Sequence, residues 1–140
     1  MRYVFGLVMV ASASYASHEF DGRDIVSGAA LYAEHCASCH GVDLEGQPDW
    51  RVADADGVLP APPHDETGHT WHHSSQHLFD YTKLGGQEAL TRMGVQGFTS
   101  GMPGFAETLS DGEIWQILAF IASTWPKRQA EVQAGRNPKH

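Results

Sequence analysis

The sequence predicts an all-α domain, because every long periodic segment in it repeats at helical spacing. Near the N-terminus, Asp24 can cap a helix whose apolar face is formed by Ile25, Gly28, Ala29, Tyr32 and Cys36. Near the C-terminus, a capping box at Ser110 and Glu113 precedes an apolar stripe formed by Ile114, Ile117, Leu118, Ile121 and Trp125. We therefore expect two long helices, with loops and shorter helices between them.

Residues 1–16 have the composition of a secretory signal peptide. One base, Arg2, precedes a short apolar run, and Ser14-Tyr15-Ala16 suits cleavage before Ser17. The run is too short to span a bilayer comfortably. We expect export to the periplasm, with a retained anchor or a buried N-terminal helix as the alternative.

Two glycines lie in or just after the first helical segment. Gly28 lies in its middle, where a glycine costs about 1 kcal/mol relative to alanine. Close approach of a second helix would compensate for that cost. Gly41 suits a helix end.

The pentapeptide Cys36-Ala37-Ser38-Cys39-His40 is the candidate functional motif. Two thiols at this spacing can each add across a vinyl group of one haem, and the histidine that follows can ligate the iron. A thioredoxin-like motif would instead follow a buried strand, which residues 25–35 do not predict. A disulfide between the two cysteines would close a very small loop and stabilise little. A zinc site would recruit two histidines across a gap much longer than in a zinc finger, from His64, His69, His72, His73 and His77.

Residues 41–70 form a long loop rich in glycine and proline. A loop of that length in a compact domain needs a reason, and wrapping a large planar cofactor is one. A backbone carbonyl within residues 59–63 can accept a hydrogen bond from His40 Nδ1, which leaves the other ring nitrogen for the iron.

The second half of the chain predicts two more helices and a loop. Ser74 or Ser75 can cap a helix over residues 76–84, and residues 87–93 suit a short one. Met102 lies in a breaker-rich loop, where its thioether can serve as a soft iron ligand, whereas Met93 is assigned to the core. Residues 127–140 follow Pro126, are polar, and are expected to fray or lie on the surface.

The order of these motifs resembles that of a bacterial class I cytochrome c over residues 24–126. The resemblance is carried by C-x-x-C-H, by Met102-Pro103-Gly104-Phe105 and by the closing helix that starts with Leu109-Ser110-Asp111-Gly112-Glu113-Ile114. It implies the small mono-haem fold, in which the N- and C-terminal helices cross beside one covalent haem c. The implied domains are residues 17–126 for the cytochrome and 127–140 for a polar tail.

The resemblance also implies the roles of individual residues. Cys36 and Cys39 would form the thioether links, with His40 and Met102 as the axial ligands of the haem iron. Gly28 and Tyr32 would lie at the helix crossing, opposite Phe120. Trp71 would correspond to the family's residue at a haem propionate.

Five histidines within residues 64–77 are not required by the family. If residues 69–77 were helical, His69, His73 and His77 would stack at i, i+4 and i+8. Together with His72 they are candidates for a second metal site, for copper or zinc. The alternative is a polar, partly exposed loop in which one histidine meets a propionate.

The formal net charge of −8 argues against nucleic acid and favours a redox partner protein with a basic docking face. The leading hypothesis is a periplasmic one-electron carrier rather than an enzyme, soluble or peripherally associated with membrane complexes. Axial ligation by His and Met would leave no open iron position. The alternatives are a copper- or zinc-handling haem protein and a fixed cytochrome subunit of a dehydrogenase or oxidase.

Overall fold

The computed structural model describes residues 19–138, and within that range the chain is helical. Its elements are α1 (Ile25–His35), α2 (Ala37–His40), a 3₁₀ turn (Thr70–His72), α3 (Ser75–Leu84), α4 (Gly86–Arg92), α5 (Asp111–Ser123) and α6 (Lys127–Ala134). The β-structure in the described residues is a single isolated bridge between Val58 and Thr99. The all-α prediction is confirmed. The predicted signal peptide lies outside the described residues.

Side-chain caps define where three of these helices begin. The Asp24 carboxylate accepts from Ser27 N over 3.0 Å at the start of α1, as predicted. Ser74, rather than Ser75, caps α3 by accepting from His77 N over 3.3 Å. Ser110 and Glu113 form the reciprocal capping box of α5. Each cap satisfies backbone N–H groups that a helix leaves unpaired, which is why local sequence is enough to place them.

The α1–α5 crossing is the main packing contact of the domain. A Cβ at Gly28 would lie 2.1 Å from Gln116 O and 3.0 Å from Phe120 Cβ, so the two backbones approach closely enough to exclude any side chain there. Four residues further along α1, the Tyr32 ring packs on the Phe120 ring, with centroids 5.5 Å apart. The predicted compensation for a glycine in mid-helix is therefore present.

The inner face of α5 forms the centre of the core. The α5 side chains that pack in one cluster with Tyr32 of α1 and with Leu78 and Phe79 of α3 are Ile114, Ile117, Leu118 and Ile121. Within residues 19–138 no helix is both long enough and apolar enough to cross a membrane.

The C-terminal segment is more ordered than its polar composition indicates. Residues 127–140 were expected to fray or lie on the surface; instead of fraying, residues 127–134 form α6, a largely surface helix that contacts the 3₁₀ turn. Gln133 is 2 % exposed, and its Nε2 donates to Ser75 Oγ over 3.1 Å and to His73 O over 3.3 Å. Asn137 Oδ1 accepts from Ser75 N over 2.7 Å. The side-chain amides of Gln133 and Asn137 thus satisfy polar groups at the start of α3. The C-terminal segment can therefore pack there without an apolar stripe.

Met93 is likewise misassigned by the sequence. It was expected in the core, but it is 46 % exposed. The reason is local, because α4 has only seven residues and Met93 is its C-cap. Gly94 then turns the chain outward with a φ of +73°.

Candidate haem-binding site

The two cysteines and the histidine of the motif lie on one tight turn. Cys36 ends α1 by donating its N–H to Tyr32 O over 2.8 Å, and its own carbonyl accepts from Cys39 N and His40 N over 3.1 and 2.9 Å. Gly41, at a φ of +84°, ends α2 as predicted. The motif therefore presents both sulfur atoms and the imidazole from positions 36, 39 and 40, within about one helical turn.

The two cysteines lie in different surroundings. Cys36 is partly buried and Cys39 is exposed, and neither forms a disulfide. Burial, followed by the proximity of Cys39, raises the pKa of the Cys36 thiol to about 11. A reactive redox cysteine would need a lowered pKa, so this environment does not suit thioredoxin-like chemistry. The motif also follows a helix rather than a strand.

His40 is oriented by a backbone carbonyl. It is 7 % exposed, and its Nδ1 donates to Pro62 O over 2.8 Å, within the 59–63 segment that the sequence proposed. A carbonyl can only accept, so the proton is on Nδ1 and Nε2 keeps its lone pair. Burial lowers the pKa of His40, although the hydrogen bond to Pro62 opposes that shift. The ring is thus held neutral with Nε2 ready to ligate a metal.

The Met102 loop is fastened to the junction between α3 and α4. Gly86 N donates to Met102 O over 3.0 Å, and Phe105 N donates to Thr82 O over 3.1 Å. A Cβ at Gly104 would lie 2.6 Å from Leu84 O, so the loop backbone rests directly on the end of α3. The Phe105 ring meets His35, at the end of α1, edge-on with centroids 6.3 Å apart. The loop therefore reaches from α3 to the helix that carries the cysteines.

Trp71 carries a buried donor that suits an anionic group. Among the described residues, its indole Nε1 is the buried side-chain nitrogen or oxygen that lacks a hydrogen-bond partner. A buried N–H without an acceptor costs roughly 1–3 kcal/mol, so native structures rarely leave one unmet. A haem propionate would supply that acceptor, and the residues present therefore fit a bound haem. Trp71 was the residue proposed for this contact.

The candidate second metal site has a different geometry from the one expected. A continuous helix over 69–77 does not form, because His73 is extended between the 3₁₀ turn and α3. The rings of His69, His73 and His77 are nevertheless neighbours, with centroid distances of 5.5 and 4.3 Å, whereas His72 stacks on Trp71. In residues 19–138 no three His, Cys, Asp or Glu side chains are grouped so as to hold a metal ion. The second metal site stays a prediction.

The row of rings continues at both ends. Trp50 stacks on His69 at 5.4 Å, and Arg51 lies over Trp50 at 4.1 Å. At the other end Tyr81 follows His77 at 6.0 Å and donates its hydroxyl to Ser100 Oγ over 3.1 Å. Ser100 in turn accepts from Met102 N. We call Trp50, His69, His73, His77 and Tyr81 the ring row; sequence spacing signalled only its three histidines.

One residue beside the motif was given no specific role by the sequence. The His64 ring stacks on the His40 ring, with centroids 4.0 Å apart and planes 22° apart. Its Nδ1 is 2.7 Å from Thr70 Oγ1. No local pattern predicts a contact between two rings that are 24 positions apart in the chain. The sequence therefore assigned His64 only to the histidine cluster.

Comparison with known proteins agrees with this geometry. The family model of Cytochrome c matches residues 25–125, which is most of the chain. No curated protein and no solved structure matches it. The matched range starts at the first residue of α1, includes the attachment motif and the Met102 loop, and ends at Trp125, after α5. The chain therefore belongs to the cytochrome c family, a class of electron-transfer proteins that bind haem c covalently.

Proposed function

We propose that this protein is a periplasmic carrier of single electrons that holds one haem c, with His40 and Met102 as axial ligands and no substrate to turn over. The observation that carries the proposal is the attachment turn itself. Two thiols precede a neutral imidazole whose Nδ1 donates to Pro62 O, so Nε2 is left as a ligand. When bound, the haem would supply reversible one-electron chemistry.

The chain's own contribution is to hold the ligands still. Pro62 orients His40, and the hydrogen bonds of Gly86 and Ser100 hold the backbone of Met102 from both sides. Phe105 links the Met102 loop to α1. A site whose ligands are fixed before the electron arrives needs little rearrangement between its two oxidation states. That rigidity suits a carrier better than a site that must open for a substrate.

Replacement of Met102 by alanine tests the axial ligation. In protein matured in a host that attaches c-type haem, the weak far-red ferric band that reports sulfur ligation should disappear. The haem should remain covalent and resist acid–acetone extraction, because Cys36 and Cys39 are untouched. Met93→Ala is the matched control, since Met93 is exposed at the end of α4 and should leave the band unchanged. A far-red band that survives Met102→Ala would overturn the assignment.

The charge distribution supports a partner with a basic docking face. Residues 41–66 hold seven of the 17 acidic residues and one of the nine Lys and Arg residues. Most of these side chains are exposed, and the loop begins directly after His40, the last residue of the attachment motif. Negative charge concentrated beside the attachment turn would attract a cationic surface and repel an anionic one.

Electron exchange with small inorganic reagents should follow that charge. Reduction by a cationic ruthenium ammine should be faster at low than at high ionic strength, and reduction by ferrocyanide should show the opposite trend. Asp43→Lys should slow the cationic reagent about threefold to tenfold at low salt. Glu131→Lys on α6 makes the same charge change away from the motif and should have less effect. Equal effects of the two variants in stopped-flow measurements would contradict a localised docking face.

A further inference from the structure

His64 lies in a loop, yet contacts hold both its backbone and its ring. Its backbone N donates to Leu44 O over 2.8 Å, and its backbone O accepts from the indole Nε1 of Trp125 over 2.8 Å. The ring is anchored at Nδ1 by Thr70 Oγ1 and lies edge-on to Tyr32, with centroids 6.3 Å apart. Contacts from four separate parts of the chain therefore fix one imidazole.

The face of this imidazole is applied to His40. A separation of 4.0 Å between nearly parallel rings is direct contact, so no water can lie between them. Contact between two nearly parallel flat rings is an arrangement that aromatic side chains favour.

The stack supplies a constraint that the Pro62 hydrogen bond cannot. A single hydrogen bond at Nδ1 tolerates a range of angles, so the His40 ring can still tilt by rotation about its Cβ–Cγ bond. A flat surface against its face removes the tilt, because any rotation would press the ring into His64. The hydrogen bond to Pro62 O and the stacked His64 ring together define the orientation of the His40 ring and the direction in which its Nε2 points.

We propose that His64 is a positioning residue that sets the ring plane of the axial ligand His40. The inference rests on the proposed function, since it takes His40 to be that ligand. His64 touches neither iron nor any partner in this role; it acts only through the His40 ring. Its anchors, Thr70 and Trp125, hold the platform in place.

The test reads the orientation of the ligand plane directly. In low-spin ferric haem, the spread of the haem methyl proton shifts and the g-values depend on that orientation. His64→Ala should redistribute the methyl shifts and move the g-values, because it removes the platform. His64→Phe keeps a flat ring of similar size but loses the Thr70 anchor, so its shifts should move much less than those of His64→Ala. A His64→Ala protein with wild-type shifts and g-values would overturn the proposal, as would a His64→Phe protein altered as much as His64→Ala.

Thr70→Val provides a second route if His64→Ala does not fold. It keeps the shape of Thr70 but removes the oxygen that anchors His64 Nδ1. The methyl shifts should move in the same direction as in His64→Ala, by a smaller amount, and unchanged shifts would count against the proposal. Failure of the proposed function would look different, because wild-type protein itself would then lack a low-spin spectrum with His and Met ligation.

Discussion

Gly28→Ala is expected to lower the free energy of unfolding by about 3 kcal/mol, the upper end of the range for an overpacked core. The added methyl group would lie 2.1 Å from Gln116 O, which is a backbone atom and cannot swing away. Helices α1 and α5 would have to separate, and the Tyr32–Phe120 contact would be lost with them. Urea unfolding followed by circular dichroism measures the loss.

A second helical glycine provides the matched control. Gly112 lies in the first turn of α5, and a Cβ there would meet nothing closer than Ser110 Oγ at 4.0 Å. Alanine is favoured over glycine by up to about 1 kcal/mol in a helix, so Gly112→Ala should be neutral or slightly stabilising. The two variants make the same chemical change and should differ in sign. Equal stability would mean that α1 and α5 can move apart without cost, against the contact described here.

This contrast shows which parts of the structure local sequence can predict. A helix cap is a contact between residues three positions apart, so Asp24 and the Ser110–Glu113 box were predictable. Gly28 was predictable in a different way, because its intrinsic cost in a helix calls for a compensating contact. The attachment motif was predictable because covalent chemistry restricts its spacing.

Other parts depend on contacts between distant residues and leave no local pattern. Helix α6 packs through Gln133, and Asn137 behind it caps α3, so neither reveals itself by hydrophobic periodicity. The stacking of His64 on His40 depends on how the 41–66 loop folds back onto the motif. The sequence offered a stack of histidines only if residues 69–77 were helical, yet the rings stack although the helix is interrupted at His73. In each case a polar side chain makes the contact between distant parts of the chain, whereas polar residues are expected at the surface by default.

The histidines of the ring row should make the fold sensitive to mild acid. Burial is the main cause that lowers the pKa of His69, His73 and His77, and for His73 the value falls to about 4. His69 and His73 are lowered further by positively charged neighbours, whereas Asp80 opposes the shift at His77. The folded protein therefore keeps these rings neutral at pH values where the unfolded chain protonates them.

The sign of the effect follows from proton binding. Between the usual histidine pKa of 6.5 and the lowered value of about 4 for His73, the unfolded state binds more protons than the folded state. The free energy of unfolding should therefore fall as the pH drops through that window. After allowance for partial exposure, His73 alone should contribute on the order of 2 kcal/mol. The lowered pKa values of Asp24 and Glu113 place the loss from the capping carboxylates at and below the usual values of 3.8 and 4.5, at the acid end of this window or beyond it.

His73→Phe separates the ring row from other sources of acid sensitivity. Phenylalanine can stack between His69 and His77 but cannot take up a proton, so the loss of unfolding free energy between pH 6.5 and 4 should become smaller. Some loss should remain, because the pKa of His64 is also lowered by burial. If His73→Phe keeps the wild-type pH dependence in urea titrations, the ring row is not its source. Acid that loosens the ring row should also disturb Met102, because Tyr81 donates to Ser100 and Ser100 accepts from Met102 N. The far-red band should therefore weaken at a pH above that of global unfolding.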